Sequence, residues 1–368
     1  MSALPALPDP RRPASGPTQP LHALAQALLT ERDLGKLVAA ESALDQEIAR
    51  LLASNGDAAL AEATATAPSA AVLRLLNERL RTLLSRPAKP GTGYAVPFLV
   101  PLVMVAGVRG KHMIEGRLPD ADAVLELLRT HGIVAKHADV HLLNRLVDRD
   151  QLLGAGVSLL AHWRDTLTTA ADGLPYDFKP TPIVVEGDGV YLRYLVGVAY
   201  QPADAEPVIQ LNAPPAAWTL ALSKLFGEQF KHDAMTLFPL PRVPQNWLAG
   251  LDDGRVAQQE IRFQVYASNT LRKLREGGEK PVAVLSCHEN GELRVTLGAA
   301  TNGENWAGFV WPLGPLDRVD AVQHMMVSLL QECQQDDIRV LTDVLPTIKD
   351  DLPYFPLPTE LATTETRH

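Results

Sequence analysis

The chain has 368 residues, 46% of them apolar and 21% charged, with 34 basic against 43 acidic side chains and two cysteines. That composition is ordinary for a globular protein and excludes wholesale disorder. The net charge of −9 argues against a general nucleic-acid coat, which needs a basic face to displace counterions, and two thiols make no disulfide framework.

Residues 1–20 hold six prolines and the pair Arg11-Arg12 but no apolar core of the kind a secretory signal needs, so they read as a disordered leader. A helical segment comes next, over 21–66. Leu34, Leu37, Val38, Leu44, Ile48, Leu51 and Leu52 share one face at helical spacing, and Asn55-Gly56 stops the helix. The Ala/Thr-rich stretch 58–67 reads as a short helix or a linker. The most apolar run, Tyr94 to Val108, is interrupted by Pro97 and Pro101 and is shorter than the roughly 20 residues a bilayer-spanning helix requires. No membrane insertion is expected, and the chain reads as soluble and cytoplasmic.

From Ser69 onward one outline recurs: helix, two or three antiparallel strands, helix, strand. The sequence therefore predicts an α+β protein of three tandem modules at 69–150, 151–250 and 254–356, with a flexible tail at 357–368. In the third copy a helix at 256–275 leads to strands at 281–286 and 292–297, joined by the turn around Asn290-Gly291, a strong hairpin signal. A strand at 306–311, a helix at 317–334 and a strand from Ile338 complete it. The second copy gives a helix at 152–170, strands at 182–186, 190–200 and 207–211, a helix after Pro214-Pro215, and an extended piece at 234–240. The first gives a helix at 69–84, strands at 97–106 and 111–118, a helix at 120–130 and a strand at 139–143. Lys136-His137 and Lys231-His232 occupy the same joint in their copies.

Three groups of residues invite a chemical reading. On an extended segment His137, Asp139 and His141 project to one side at period two, as two imidazoles and a carboxylate around a divalent metal would. A solvated helix-to-strand turn explains the same residues more simply, because the other copies carry different polar residues there. Cys287 beside His288 resembles a thiolate–imidazole pair, although neighbours on a strand point to opposite faces. Trp306, Phe309 and Trp311 crowd one short strand, with Trp306 facing opposite to Trp311. An outward tryptophan there would anchor a partner, as would the stripe containing Leu37, Leu44 and Ile48 if that helix docks on another molecule. Trp218, Phe226 and Phe230 form a helical stripe that reads as core. No phosphate-binding loop or nucleophile elbow is present, and no cofactor is expected.

The resulting expectation is a non-enzymatic adaptor or scaffold of bacterial type, binding other proteins or itself within a multi-component assembly. The alternative is a hydrolase-like enzyme with a cleft between modules, drawing on His137, Asp139 and His141 or on Cys287 and His288.

Overall fold

The computed structural model describes residues 18–345, except 109, 119, 171–172, 180, 188, 232–234 and 300–306. It mixes helices with antiparallel and parallel strands and divides into two compact units, residues 1–258 and 259–368.

The first unit opens with a helical bundle: α1 (Gln19–Thr30), α2 (Leu34–Ala53), α3 (Asp57–Ala65) and α4 (Ala70–Leu84). Helix α1 starts inside the expected leader, with Pro20 in its first turn, where the missing N–H costs nothing. Asp33 and Ser69 cap α2 and α4 by accepting from Lys36 N and Val72 N. Leu44, Ile48, Leu51 and Leu52 of α2 meet Leu21, Leu60, Val72, Leu76 and Leu80 in one apolar core. Arg79 of α4 ties the layers by pairing with Glu41 and Asp45 of α2.

The sheet region comprises β1 (Tyr94–Val108), β2 (Lys111–Ile114), α5 (Ala121–Thr130), β3 (Val140–Val147), α6 (Arg149–Gly154), α7 (Val157–Thr166), β4 (Ile183–Glu186), β5 (Gly189–Gln201), α8 (Ala217–Gln229), β6 (Met235–Pro241) and β7 (Gln245–Asn246). The helix expected at 152–170 is broken at Gly156, which takes a left-handed φ of 75°. Gly156 brings no side-chain cap to α7, and Asp57 at the start of α3 supplies it by accepting from Ser158 N at 2.8 Å. The strand expected at 207–211 is reduced to a single bridge between Ile209 and Val134.

The main sheet runs β3-β5-β1-β6, with β7 also on β1, and every pairing in it is antiparallel. The arrangement corrects the tandem reading of residues 69–250. Strand β3, expected in the first module, pairs with β5 of the second, and β6 of the second pairs with β1 of the first. Two β-α-β halves, residues 94–147 and 189–241, are intertwined in one sheet. The long strands open at Tyr94 and Gly189, the helices at Ala121 and Ala217, and the closing strands at Val140 and Met235, offsets of 95, 96 and 95 residues. Val100 pairs with Leu195 at that same separation.

Strand β1 is buried along both faces, which is why its sequence is a near-continuous apolar run. Its prolines are tolerated because β6 spans only Leu102 to Val108 and β7 meets only Phe98 and Leu99. The Pro101 carbonyl accepts from Arg242 N, so its missing N–H falls where the neighbouring strand has ended. One face of the sheet carries α5, α8 and the β2–β4 ribbon over a core that includes Phe98, Leu102, Leu128, Leu195, Trp218 and Phe226.

The second unit contains the later turns of α9 (Trp247–Glu276), then β8 (Pro281–His288), β9 (Glu292–Ala299), β10 (Ala307–Pro312), α10 (Val319–Glu332) and β11 (Ile338–Leu345). Its sheet runs β10-β9-β8-β11, with β11 parallel to β8. Gly291, at a left-handed φ of 74°, closes the β8–β9 hairpin. Phe263 and Tyr266 of α9 pack on Phe309 of β10, and Tyr266 donates to Ala307 O at 2.6 Å.

Gly197 lies at the centre of the intertwined sheet, where a Cβ would overlap the Phe98 ring and come within 2.7 Å of Leu142 Cδ2. Gly197→Val is expected to destabilise the chain by about 1–3 kcal/mol through overpacking. A lowered urea midpoint checks this; an unchanged midpoint contradicts the packing described.

Candidate functional site

The residues singled out by the sequence divide cleanly between structural use and exposure. Asp139 Oδ2 accepts from Thr169 Oγ1 and from Ala170 N, both at 2.7 Å, and the Asp139 carbonyl accepts from Tyr200 N. Its carboxylate thus anchors the segment after α7. His137 is exposed, while His141 sits half-buried beside Gly173. Among the described residues no three His, Cys, Asp or Glu side chains converge as metal ligands would. The metal reading of His137, Asp139 and His141 is therefore corrected to a hydrogen-bonded joint. His141 also lines an open cleft with Arg117, Asp120 and Asn144, where Asp120 is engaged in capping α5 through Ala123 N.

Cys287 and His288 do not pair. Alternation along β8 sends Cys287 to the face shared with Leu285, and His288 turns to the other, where its Nε2 lies 2.9 Å from Ser286 Oγ. Across the ladder Ser286 faces Arg294 and His288 faces Glu292, and Arg294 Nε donates to Glu292 Oε1 at 2.6 Å. A hydroxyl on an imidazole is the geometry of a nucleophile and its base. Ser286 and His288 are nonetheless only 7% and 3% exposed, so the pair serves as a satisfied polar seam inside the unit. Sequence reasoning missed Ser286; the signal was its i,i+2 spacing from His288 on one strand.

Leu44 and Ile48 are core residues of the bundle, and Leu37 is half-buried at its margin. From Leu44 onward the stripe folds back on its own chain, a correction to the use of Leu44 and Ile48 for docking, while Leu34 and Val38 at its start are exposed. Trp311 is fully buried, which removes it as a partner anchor, and Trp306 lies outside the described residues. Trp218, Phe226 and Phe230 are core, as their helical stripe implied.

What the fold leaves uncovered is an apolar strip on the main sheet, on the face opposite α5 and α8. The register aligns two rows, Val190–Val105–Phe238 and Leu192–Val103–Leu240, running from β5 through β1 to β6. Val103 and Leu192 are buried and Val105 and Val190 half-buried, but Phe238 is 61% and Leu240 37% exposed. At the β3 side of the sheet, Arg145 donates to the Phe178 carbonyl and Gly173 lies against His141, so residues 173–178 shield that edge. The matching β6 side has no such cover among the described residues.

The chain matches no family model, no curated protein and no solved structure. The strip is accordingly read from its own chemistry. Pro239 and Pro241 lack N–H donors, and the Pro239 carbonyl already accepts from Ser223 Oγ, so the free edge of β6 is closed to a further strand. A partner would meet side chains here rather than backbone. The rim is polar: Arg242 Nε stands 3.7 Å from Asp253 Oδ2, and Gln258 Nε2 donates to Val190 O at 3.1 Å. An apolar centre with a polar rim is the anatomy of a recognition surface. A second exposed apolar pair, Met113 and Val184, stands opposite across the β2–β4 ribbon.

Burial holds the Asp253 carboxyl above the usual carboxylate range, outweighing the pull of Arg242. A raised folded-state pKa means that Asp253 contributes stability below the unfolded-state value, and that this contribution fades as pH rises through the folded one. Asp253→Asn lacks the fading term. Its stability relative to the parent is therefore expected to improve between pH 4.5 and 7.5 in urea titrations; parallel stabilities would contradict the burial of this carboxylate.

Proposed function

We propose that the protein is a non-enzymatic adaptor that binds other proteins through the apolar strip at β6. The observation that carries this reading is the exposure of Phe238 and Leu240 at the β6 end of two cross-strand rows whose other members are buried or half-buried. Large aromatic and aliphatic side chains held rigidly on a sheet lose little entropy on docking and supply the anchors on which interface energy concentrates. The closed edge of β6 favours a discrete partner surface over strand addition. The candidate catalytic groups support the same reading, since Asp139 anchors a loop and Cys287 and His288 face opposite ways. We place the adaptor in the cytoplasm as a component of a multi-protein assembly, in keeping with its two free thiols, Cys287 and Cys333.

The test is cross-linking in the native cell at natural abundance, comparing the parent with Phe238→Lys and Leu240→Lys. Both positions are exposed, so the fold tolerates the charge. A defined protein should be captured by the parent, with at least a tenfold loss in each variant, as expected for a central anchor. Capture that is equal in all three chains, or a parent with no specific partner, would overturn this reading.

A further inference from the structure

Strand β11 forms one edge of the sheet in the second unit and pairs only with β8 among the described residues. Two hydrogen bonds fix the direction of its peptide groups. Asp337 O accepts from Ala283 N and Leu345 O accepts from Glu289 N, so the odd-numbered groups at both ends turn toward β8. The register keeps this parity on either side of the irregularity between Val340 and Val344. Ile338, Val340 and Val344 therefore turn their N–H and C=O groups away from the sheet. The strand has no proline, and two of these outward-turned residues are open, Val340 at 43% and Val344 at 58% exposure, while Ile338 is half-buried. Long, apolar, unblunted edges are what natural sheets usually avoid, and the contrast with β6, closed by Pro239 and Pro241, lies within the same chain.

The order of residues along β11 is self-complementary. Laid antiparallel against a copy of itself about Leu341, the strand sets Ile338 opposite Val344, Val340 opposite Thr342, and Arg339 opposite Asp343. Twofold symmetry repeats each of these pairs. The outward-turned Ile338 and Val344 fall in hydrogen-bonded pairs. Residues 341–343 lie in the irregular stretch, with no β8 partner in the register; running as a regular strand against the copy, they put Arg339 and Asp343 in the non-hydrogen-bonded pairs, where side chains stand closest and opposite charges gain most. Asp343 is exposed, and Arg339, which also pairs with Asp337 at 3.3 Å, is half-buried. A charge pair serving only to guard an edge has no need of this symmetry about the strand centre.

We propose that β11 is a self-association surface on which a second copy of this chain pairs antiparallel, joining two four-stranded sheets across a true twofold axis. Such an interface is isologous: each surface meets its own image, so the two Arg339–Asp343 pairs form or fail together. The proposal stands apart from the adaptor reading, which rests on Phe238 and Leu240.

Sedimentation velocity on the full chain, over a concentration series from about 1 to 200 µM, tests it through charge exchange. The parent is expected to dimerise. Asp343→Arg sets arginine against arginine twice, and Arg339→Asp sets aspartate against aspartate twice. Each should weaken dimerisation at least tenfold, a conservative reading of two cross-strand pairs changed from attraction to repulsion. The double variant Arg339→Asp/Asp343→Arg restores opposite charges on both sides and should recover the parent's dimerisation, which separates the interface from any effect on folding. Phe238→Lys should dimerise as the parent does. A parent that stays monomeric throughout, as it would if a different protein takes this edge, overturns the proposal. So does a dimer indifferent to both single exchanges, or one that the double exchange fails to restore.

Discussion

The antiparallel ladder between β1 and β5 fixes most of the architecture of the first unit. It runs without a break from Tyr94 opposite Gln201 to Ala106 opposite Gly189 and joins the two halves. Because each half contributes one long central strand and one closing strand to the other's flank, neither half can bury its apolar surface alone. Leu142 of the first half packs against Phe98 across Gly197 of the second, and α5 and α8 share one core beneath both. The cost is a set of pairings distant in sequence, which must await the meeting of residues about a hundred positions apart. What the arrangement achieves is a sheet with well-guarded edges: β3 is bridged by residues 116–118 and β6 is closed by proline.

Much of this plan was legible residue by residue. The stripe around Leu44 and Ile48 marked an amphipathic helix, Asn290-Gly291 marked a hairpin, and Trp218, Phe226 and Phe230 marked a core face. Strand partnership was not, because local patterns specify that a strand exists and which faces it buries, but carry little about which distant strand lies beside it. Two outlines of the same form therefore read as successive modules when they are interleaved. Pro97 and Pro101 sit in a central strand, because β6 and β7 leave the other side of β1 unpaired at both.

The candidate sites failed for related reasons. Spacing placed His137, Asp139 and His141 on one side of an extended segment, but the carboxylate is taken by Thr169 Oγ1 and Ala170 N, partners some thirty residues away. Cys287 and His288 are adjacent in sequence and opposed in space, whereas Ser286, two residues away, shares the face of His288. Exposure was the least legible property. Phe238 and Leu240 belong to a segment whose composition resembles any buried strand, and only the loss of cover on one side of the sheet turns them into a surface. The same composition elsewhere, as at Trp311, is fully internal.

Native-state hydrogen exchange, followed strand by strand in increasing denaturant, tests the interleaved sheet most directly. If the two halves share one sheet, amides of β1, β3, β5 and β6 should converge on a single opening free energy and lose protection together. Loss of protection in β1 and β3 at a denaturant concentration where β5 and β6 remain fully protected would contradict the account, because separable modules would then be the better description.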